Sequence, residues 1–388
     1  MAEIPKVILL IETSREYGRA LLRGIAQYSR LHGPWTFSRE PLFYTEPARR
    51  KRAFSRLKNW NADGIIMREP GKNEEILSLS LPTVVSPYST ERIPGVPNII
   101  SDNDAMAEMA ARHLLDRGFQ QFAYCGFDDM FFSIDRGEKF RRYIDQAGCR
   151  THFYKQPRLR DRRLWENEQH FMVEWLKSLP KPVGLMTCND DRSQHVIDAC
   201  KIADICVPDQ LAVIGVDNDD LICDLSNPPL SSIALNTVKA GYQAAAALHK
   251  LMAGDNMNDH IITVSPTHVV ARQSTDILAI QDNEVAEAVR FIHLHAKEPV
   301  QVDEVVDAVA LSRRSLEQRF RGVLGRSIHR EIRRVRVEQV IRMLLETNMS
   351  ISQIALALGY PGVNNVARYF RQETGITPIA YRKIYTDK

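Results

Sequence analysis

The sequence of 388 residues has no apolar run approaching the roughly 18–20 residues that a bilayer span requires. Its opening, "MAEIPKVILLIETS", lacks the basic, apolar and small-residue order of a secretory signal. That apolar stretch therefore reads as a strand, and the chain is expected in the cytoplasm. Cysteine is scarce: six residues without C-x-x-C pairing argue against a disulfide framework and against a thiolate zinc site. There is no phosphate-binding glycine loop, no H-E-x-x-H and no nucleophile partnered with a base. The acidic clusters "GVDNDD" and "CNDD" leave a metal-dependent carbohydrate enzyme as a remote alternative, and His293 and His295, two apart on a helix, point to different faces. No catalytic residue, metal or cofactor is expected.

What is present is an ordinary globular composition, 44% hydrophobic and 26% charged, in a chain long enough for two or three domains. The net charge of +3 conceals an asymmetry: 17 Lys and Arg face 12 Asp and Glu from Asn283 onward, against 34 and 36 before it. The basic surplus points to a polyanion at the C-terminal quarter.

Through the first 255 residues, strand-like runs ("KVILLIET", "DGIIM", "TVVSPY", "NIISD", "QFAYCGF", "VGLMTCND", "LAVIGVDN") alternate with amphipathic stretches. About ten strands in this pattern predict two α/β lobes with parallel sheets covered on both faces. Ligands in such sheets bind beyond the carboxyl ends of strands, which singles out Ser14 to Tyr17, Asp102, Asn189-Asp190 and Asp217. The sensing domain is placed at 1–276, with a linker at 277–284 and an all-helical domain at 285–388.

Two helix-turn-helix patterns are predicted in that last domain, at about 302–322 and 351–373. In the first, Val302, Val305, Val306 and Val309 form the apolar stripe, Ser312 is a good N-cap, and Leu316 and Phe320 face inward. In the second, "SISQIALALGYPG" supplies Ile351, Ile354, Ala355 and Leu358, then a glycine turn at Gly359. An arginine-rich helix at about 327–346 joins them. Arg313, Arg314, Gln318, Asn364, Asn365 and Arg368 are the candidate DNA contacts, because arginine pairs bidentately with guanine in the major groove. Arg333, Arg334 and Arg336 suit the joining helix's surface or phosphates. A solvated helix face is the plainer role for any one arginine.

The residues "IALALGY", Phe370, Gly375, "TP" at 377–378 and "AYR" at 380–382 resemble the AraC family of transcription regulators over about 285–385. The resemblance implies two helices placed in successive major grooves by one protomer. Val366 stands where members of that family usually carry an aromatic. Upstream, "IISDNDAMAEMAARHLLDRGFQQFAYCG", "CNDDRSQ" and the stretch from "VPDQLAVIGVDN" to "ALHKLM" are similar to the sugar-sensing core of LacI-type repressors and periplasmic binding proteins, over about 5–275. That likeness implies a sugar effector, an aldopentose such as xylose first. It places Asp102, Arg136, Trp165, Asp190 and Asp217 at sugar-contacting positions, with Tyr17 at a suitable strand end. Asp102 could equally cap the helix after it, Asp217 the following loop, and Trp165 could be core. Leu235 replaces a hydrogen-bonding side chain found in relatives, which leaves another monosaccharide or a sugar acid open. Together the likenesses imply an activator of pentose catabolic genes that binds double-stranded operator DNA as a homodimer, with RNA polymerase as a further partner and no membrane.

Overall fold

In the computed structural model, residues 4–39, 60–68, 77–157, 165–277, 279, 280 and 282–385 are described. The strand-like runs form two six-stranded sheets. The first contains β1 (Lys6–Leu10), β2 (Thr36–Ser38), β3 (Gly64–Arg68), β4 (Thr83–Ser86), β5 (Asn98–Ser101) and, from far along the chain, Ile261–Val264. The second contains β6 (Phe122–Cys125), β7 (Thr151–Phe153), β8 (Val183–Thr187), β9 (Leu211–Val216), β10 (Ser231–Leu235) and Pro266–Val270. All pairings are parallel except that of β10 with Pro266–Val270. Calling Ile261–Val264 β11 and Pro266–Val270 β12, the orders are β11-β5-β4-β3-β1-β2 and β12-β10-β9-β8-β6-β7. The alternation of exposed and buried residues in β11 was too short to stand out beside the continuous apolar runs of the central strands.

The chain crosses between the lobes after β5, after β10 and between β11 and β12. The crossings are tied together: Asp102 N–H donates to Val264 O at 2.8 Å, and Asn236 N–H to Ser265 O at 3.0 Å. Helix α1 (Glu16–His32) follows β1, and α2 (Asn103–Leu115) follows the first crossing. The next helices are α3 (Phe131–Gln146), α4 (Trp165–Ser178), α5 (Asp190–Ala203), α6 (Asp220–Leu225) and α7 (Thr237–Met252). Helix α7 returns to pack on α1 at very close range, because a Cβ on Gly24 would meet Val238 O at 1.9 Å and one on Gly241 would meet Leu21 O at 2.2 Å. Each lobe then buries its own apolar layer, Leu21, Ile25, Ala244 and Leu248 in the first and Met106, Ala110, Phe140 and Ile214 in the second.

The C-terminal domain is all helical: α8 (Asn283–Leu294), α9 (Val302–Asp307), α10 (Arg313–Leu324), α11 (Ile328–Glu346), α12 (Ile351–Ala357), α13 (Val363–Thr374) and α14 (Pro378–Tyr385). It has two small cores. Val285, Val289, Leu316, Phe320 and Ile332 make the first; Val340, Leu344, Ile354, Phe370 and Tyr381 make the second. The joining helix α11 contributes its first half to one core and its second half to the other. Its 19 residues span about 28 Å. Ser312 accepts from Ser315 N–H, and Ser350 forms a capping box with Gln353, so both helix starts read from sequence are capped by their serines. Helix α8 begins at Asn283, its N-cap being Asp282, two residues earlier than the sequence pattern suggested.

Candidate ligand cleft and nucleic-acid interface

Strand ends and helix starts of the two lobes meet at a cleft. From the first lobe, Tyr17 at the start of α1 is buried and its hydroxyl lies 3.2 Å from Ser86 Oγ at the end of β4. Arg68, the last residue of β3, lays its guanidinium over the Tyr17 ring at 4.8 Å and faces Tyr88 at 5.7 Å. Its Nη1 donates to Glu12 Oε1 at 3.0 Å. The sequence pattern ended this strand at Met67, and Arg68 was missed; the strand-end rule, applied one residue later, would have found it.

From the second lobe, α3 supplies Arg136, only 3% exposed. Its Nε and Nη2 donate to Asn103 Oδ1 at 3.1 and 2.9 Å, Nη1 donates to the Cys188 carbonyl, and its guanidinium faces the Phe132 ring at 5.5 Å. Asp217 follows β9 in a left-handed backbone conformation, φ 106, with its N–H bonded to Ile233 O at 3.0 Å. Burial pushes the Asp217 carboxyl up to about 6, against the opposing pull of Arg136 and then Arg68. This carboxyl thus lies in the field of two guanidiniums, one from each lobe.

Other sequence candidates have different surroundings. Asp190 is 2% exposed, and its carboxylate accepts from Ser232 Oγ at 2.5 Å and from Asp219 N–H at 2.8 Å. Burial first, and then Asp217, raise it well above the usual carboxylate range. Through these bonds it supports the backbone that follows Asp217. Asp102 Oδ1 accepts from Ala105 N–H at 3.1 Å, which is the capping alternative. Trp165 begins α4, and its side chain lies outside the described residues. Leu235, partly buried, packs against the apolar layers of both lobes.

Ion pairs close the mouth. Arg15 pairs with Asp191, Arg19 Nη2 lies 2.7 Å from Asp219 Oδ1, and Glu16 N–H donates to Asp219 Oδ2 at 2.7 Å. Phe132 N–H reaches Tyr88 O at 3.5 Å. Every one of these contacts joins one lobe to the other. Chemically, the cleft offers carboxylate acceptors, guanidinium donors and aromatic faces, the set that grips a polyhydroxylated ring. Among the described residues, no group of three or more His, Cys, Asp or Glu is placed to hold a metal ion, and no helix is long and apolar enough to cross a membrane.

At the other end of the chain, Arg313, Arg314, Glu317, Gln318 and Arg321 line a recess along α10. Arg313 turns back to Asp303 at 2.7 Å and Glu317 at 3.4 Å, whereas Arg314 is exposed and carries no ion pair among the described residues. On α13, Asn364 and Asn365 lie in the first turn, and Arg368 rests on the Tyr369 ring at 4.9 Å with Nη2 3.5 Å from Asn365 Oδ1. Arg333 and Arg334 are engaged within the protein, Arg333 Nε with Glu373 at 2.6 Å and Arg334 with Glu331 and Asp116. Arg336 donates to Leu358 O and lies over the Tyr360 ring at 4.1 Å. These three hold the helices together, which replaces the surface or phosphate role read from their spacing.

Comparison with known proteins follows the same division. A periplasmic binding protein-like domain matches residues 111–275 and a helix-turn-helix domain matches residues 305–384. The xylose operon regulatory protein of Escherichia coli is 31% identical over 390 residues, covering 98% of each chain. That of Haemophilus influenzae is 32% identical over 388 residues, covering 97% of this chain and 98% of its own. The solved structure of a xylose-binding transcription activator matches over 100% of both chains, with 28% identity and a TM-score of 0.62.

Proposed function

The chain belongs to the family of the xylose operon regulatory proteins, sugar-sensing transcription activators with a helix-turn-helix domain, and from that premise we propose how its cleft and its helices do this work. The sugar lies between the lobes. Asp217 accepts from ring hydroxyls, Arg136 donates from the second lobe, and Tyr17 with Arg68 closes over it from the first. The observation that carries this reading is the position of Asp217 in the field of Arg68 and Arg136. An aldopentose such as xylose is the leading effector. A different monosaccharide or a sugar acid is the second reading, favoured by Leu235, which offers no hydrogen bond to a sugar hydroxyl.

Residues 1–276 act as the sensor and 285–388 as the DNA reader, with Arg314, Gln318, Asn364, Asn365 and Arg368 toward bases and Arg313 held in reserve by its acidic partners. The protein works in the cytoplasm as a homodimer and meets RNA polymerase at the promoter. Leu221 and Leu225 of α6, 65% and 77% exposed, with Ile202 nearby in the chain on α5, support a self-association face on the second lobe. A thermal-shift screen against pentoses, hexoses and sugar acids tests the effector. A rise in melting temperature confined to one sugar class, with that sugar altering operator binding, is expected; no response to any of them contradicts a sugar sensor.

A further inference from the structure

Helix α2 has one end in the cleft and the other against the DNA-binding domain. At its start, Asn103 Oδ1 holds Arg136 through two donors, and Asp102 is bonded to Val264 on another crossing strand. At its end, three attachments converge within one turn. Arg117 Nε donates to Thr275 O at 2.8 Å, and His113 Nε2 lies 2.9 Å from Thr275 Oγ1. The Ala279 N–H, in the segment that leads to the DNA-binding domain, donates to Arg117 O at 2.8 Å. Asp116 receives Arg326 Nη1 at 2.8 Å on one carboxylate oxygen and Arg334 Nη1 at 3.0 Å on the other, while its carbonyl accepts from Arg326 Nη2 at 3.2 Å. Gly118 then turns away at φ 82, and a Cβ there would meet Ile280 Cγ1 of the DNA-binding domain's core at 2.7 Å.

We propose that α2 is the rod that couples the sugar cleft to the DNA-binding domain, with Asp116 as the docking point for Arg326 and Arg334. This rests on the reading of the cleft as the sugar site. A helix of 13 residues is about 20 Å long and moves as a unit. A ligand that engages Arg136 displaces its partner Asn103, and the displacement arrives at Asp116 with little loss. The far contact is suited to two states. Glu331, 0% exposed, keeps Arg326 and Arg334 paired from within their own domain whether or not Asp116 is in place. Undocking therefore strands no buried charge in the reader, and the ions it releases gain water, which offsets much of the lost attraction. The second half of the reader also rests on a strand that follows a crossing: Tyr381 Oη donates to Thr267 O at 2.7 Å. Both halves of the reader are thus seated on elements that lobe closure moves.

The test measures operator affinity by fluorescence anisotropy, with and without sugar, for the full chain and its Asp116→Ala and Arg326→Ala variants. The probe is D-xylose, or the sugar from a panel of pentoses, hexoses and sugar acids that calorimetry shows to bind. Hydrogen exchange across residues 324–336 is followed on the same samples. The wild type is expected to change operator affinity by about 5- to 150-fold on adding sugar, and both variants to bring that ratio to about one. Both variants still bind the sugar, since neither residue lies in the cleft, with an affinity shifted by no more than the coupling that docking supplies, and wild-type exchange at 324–336 changes with sugar. Either variant folding and retaining the wild-type ratio overturns the proposal, as does a sugar that binds the wild type without altering exchange at 324–336. Failure of the wild type to bind any sugar instead contradicts the reading of the cleft, and is seen by calorimetry before any variant is made.

Discussion

Leu316 and Val366 occupy the same place in the two DNA-reading helices: each is the fourth residue of its helix, and they are 0% and 1% exposed. The same register aligns Phe320 with Phe370, both buried, and Gly325 with Gly375, both left-handed C-caps. Val366, which stands where members of the resembled family usually carry an aromatic, is therefore a packing residue.

Because this second core is already closed around valine, Val366→Phe should overpack it and cost about 1–3 kcal/mol of stability. Chemical denaturation read by a probe in the C-terminal domain checks this. An unchanged midpoint would mean that the space for an aromatic exists.

Arg314→Ala should cost about 1–3 kcal/mol on a specific operator and much less on random duplex. Arg313→Ala should cost less than Arg314→Ala, since Arg313 must first leave Asp303 and Glu317. Anisotropy titrations at fixed salt compare the two. Equal losses on both kinds of DNA would assign Arg314 to the phosphates.

Burial raises the Asp217 carboxyl from an ordinary 3.8 to about 6 in the folded chain. A raised carboxylate favours the folded state below the unfolded value and loses that contribution as pH climbs through 6. Asp217→Asn should therefore raise the melting temperature of the ligand-free protein at pH 7 and lose that advantage below about pH 4. In the wild type, sugar affinity should fall as pH drops through 6, where the acceptor becomes protonated. Melting curves and calorimetry from pH 4 to 8 check both, and a parallel pH profile for wild type and variant would argue against the assignment.

Glu331 is fully buried, and burial alone would raise its carboxyl; His293, Arg334 and Arg326 override that and hold it well below the usual range. Its contribution is present above its ordinary pKa and lost as pH falls below it. Glu331→Ala removes the fully buried partner of Arg326 and Arg334, leaving them to Asp116 and Glu338, and should destabilise the C-terminal domain by about 3 kcal/mol, the lower end of the cost of breaking a buried pair. Thermal unfolding of the variant gives the number directly.

Much of this molecule was legible in the sequence. The central strands announce themselves by unbroken apolar runs, and both recognition helices by their serine or glycine starts and paired apolar positions. Arg136 and Asp217 were reached through resemblance, and in the fold Arg136 opposes the upward push of burial on the Asp217 carboxyl. What the sequence hid depends on partners distant along the chain. Asp190 reads as a strand-end acid, and only the fold brings Ser232 and Asp219 onto its carboxylate. Arg68 is visible only once β3 is known to end one residue later. The arginines of α11 look like a basic DNA-facing surface, and only the fold brings Glu373, Glu331 and Asp116 against them.

The central claim is that a sugar gripped by Asp217 and Arg136 governs DNA binding by the distant helices. Calorimetry with the cognate sugar on wild type, Asp217→Ala and Arg136→Ala, beside operator titrations on the same proteins, tests it most directly. Each variant should lose about 1–3 kcal/mol, or roughly 5- to 150-fold, in sugar affinity, while Asp217→Ala, which leaves the Arg136–Asn103 contact in place, keeps sugar-free operator binding as in the wild type. Wild-type sugar affinity in both variants would contradict the account, because the ligand would then lie somewhere other than this cleft.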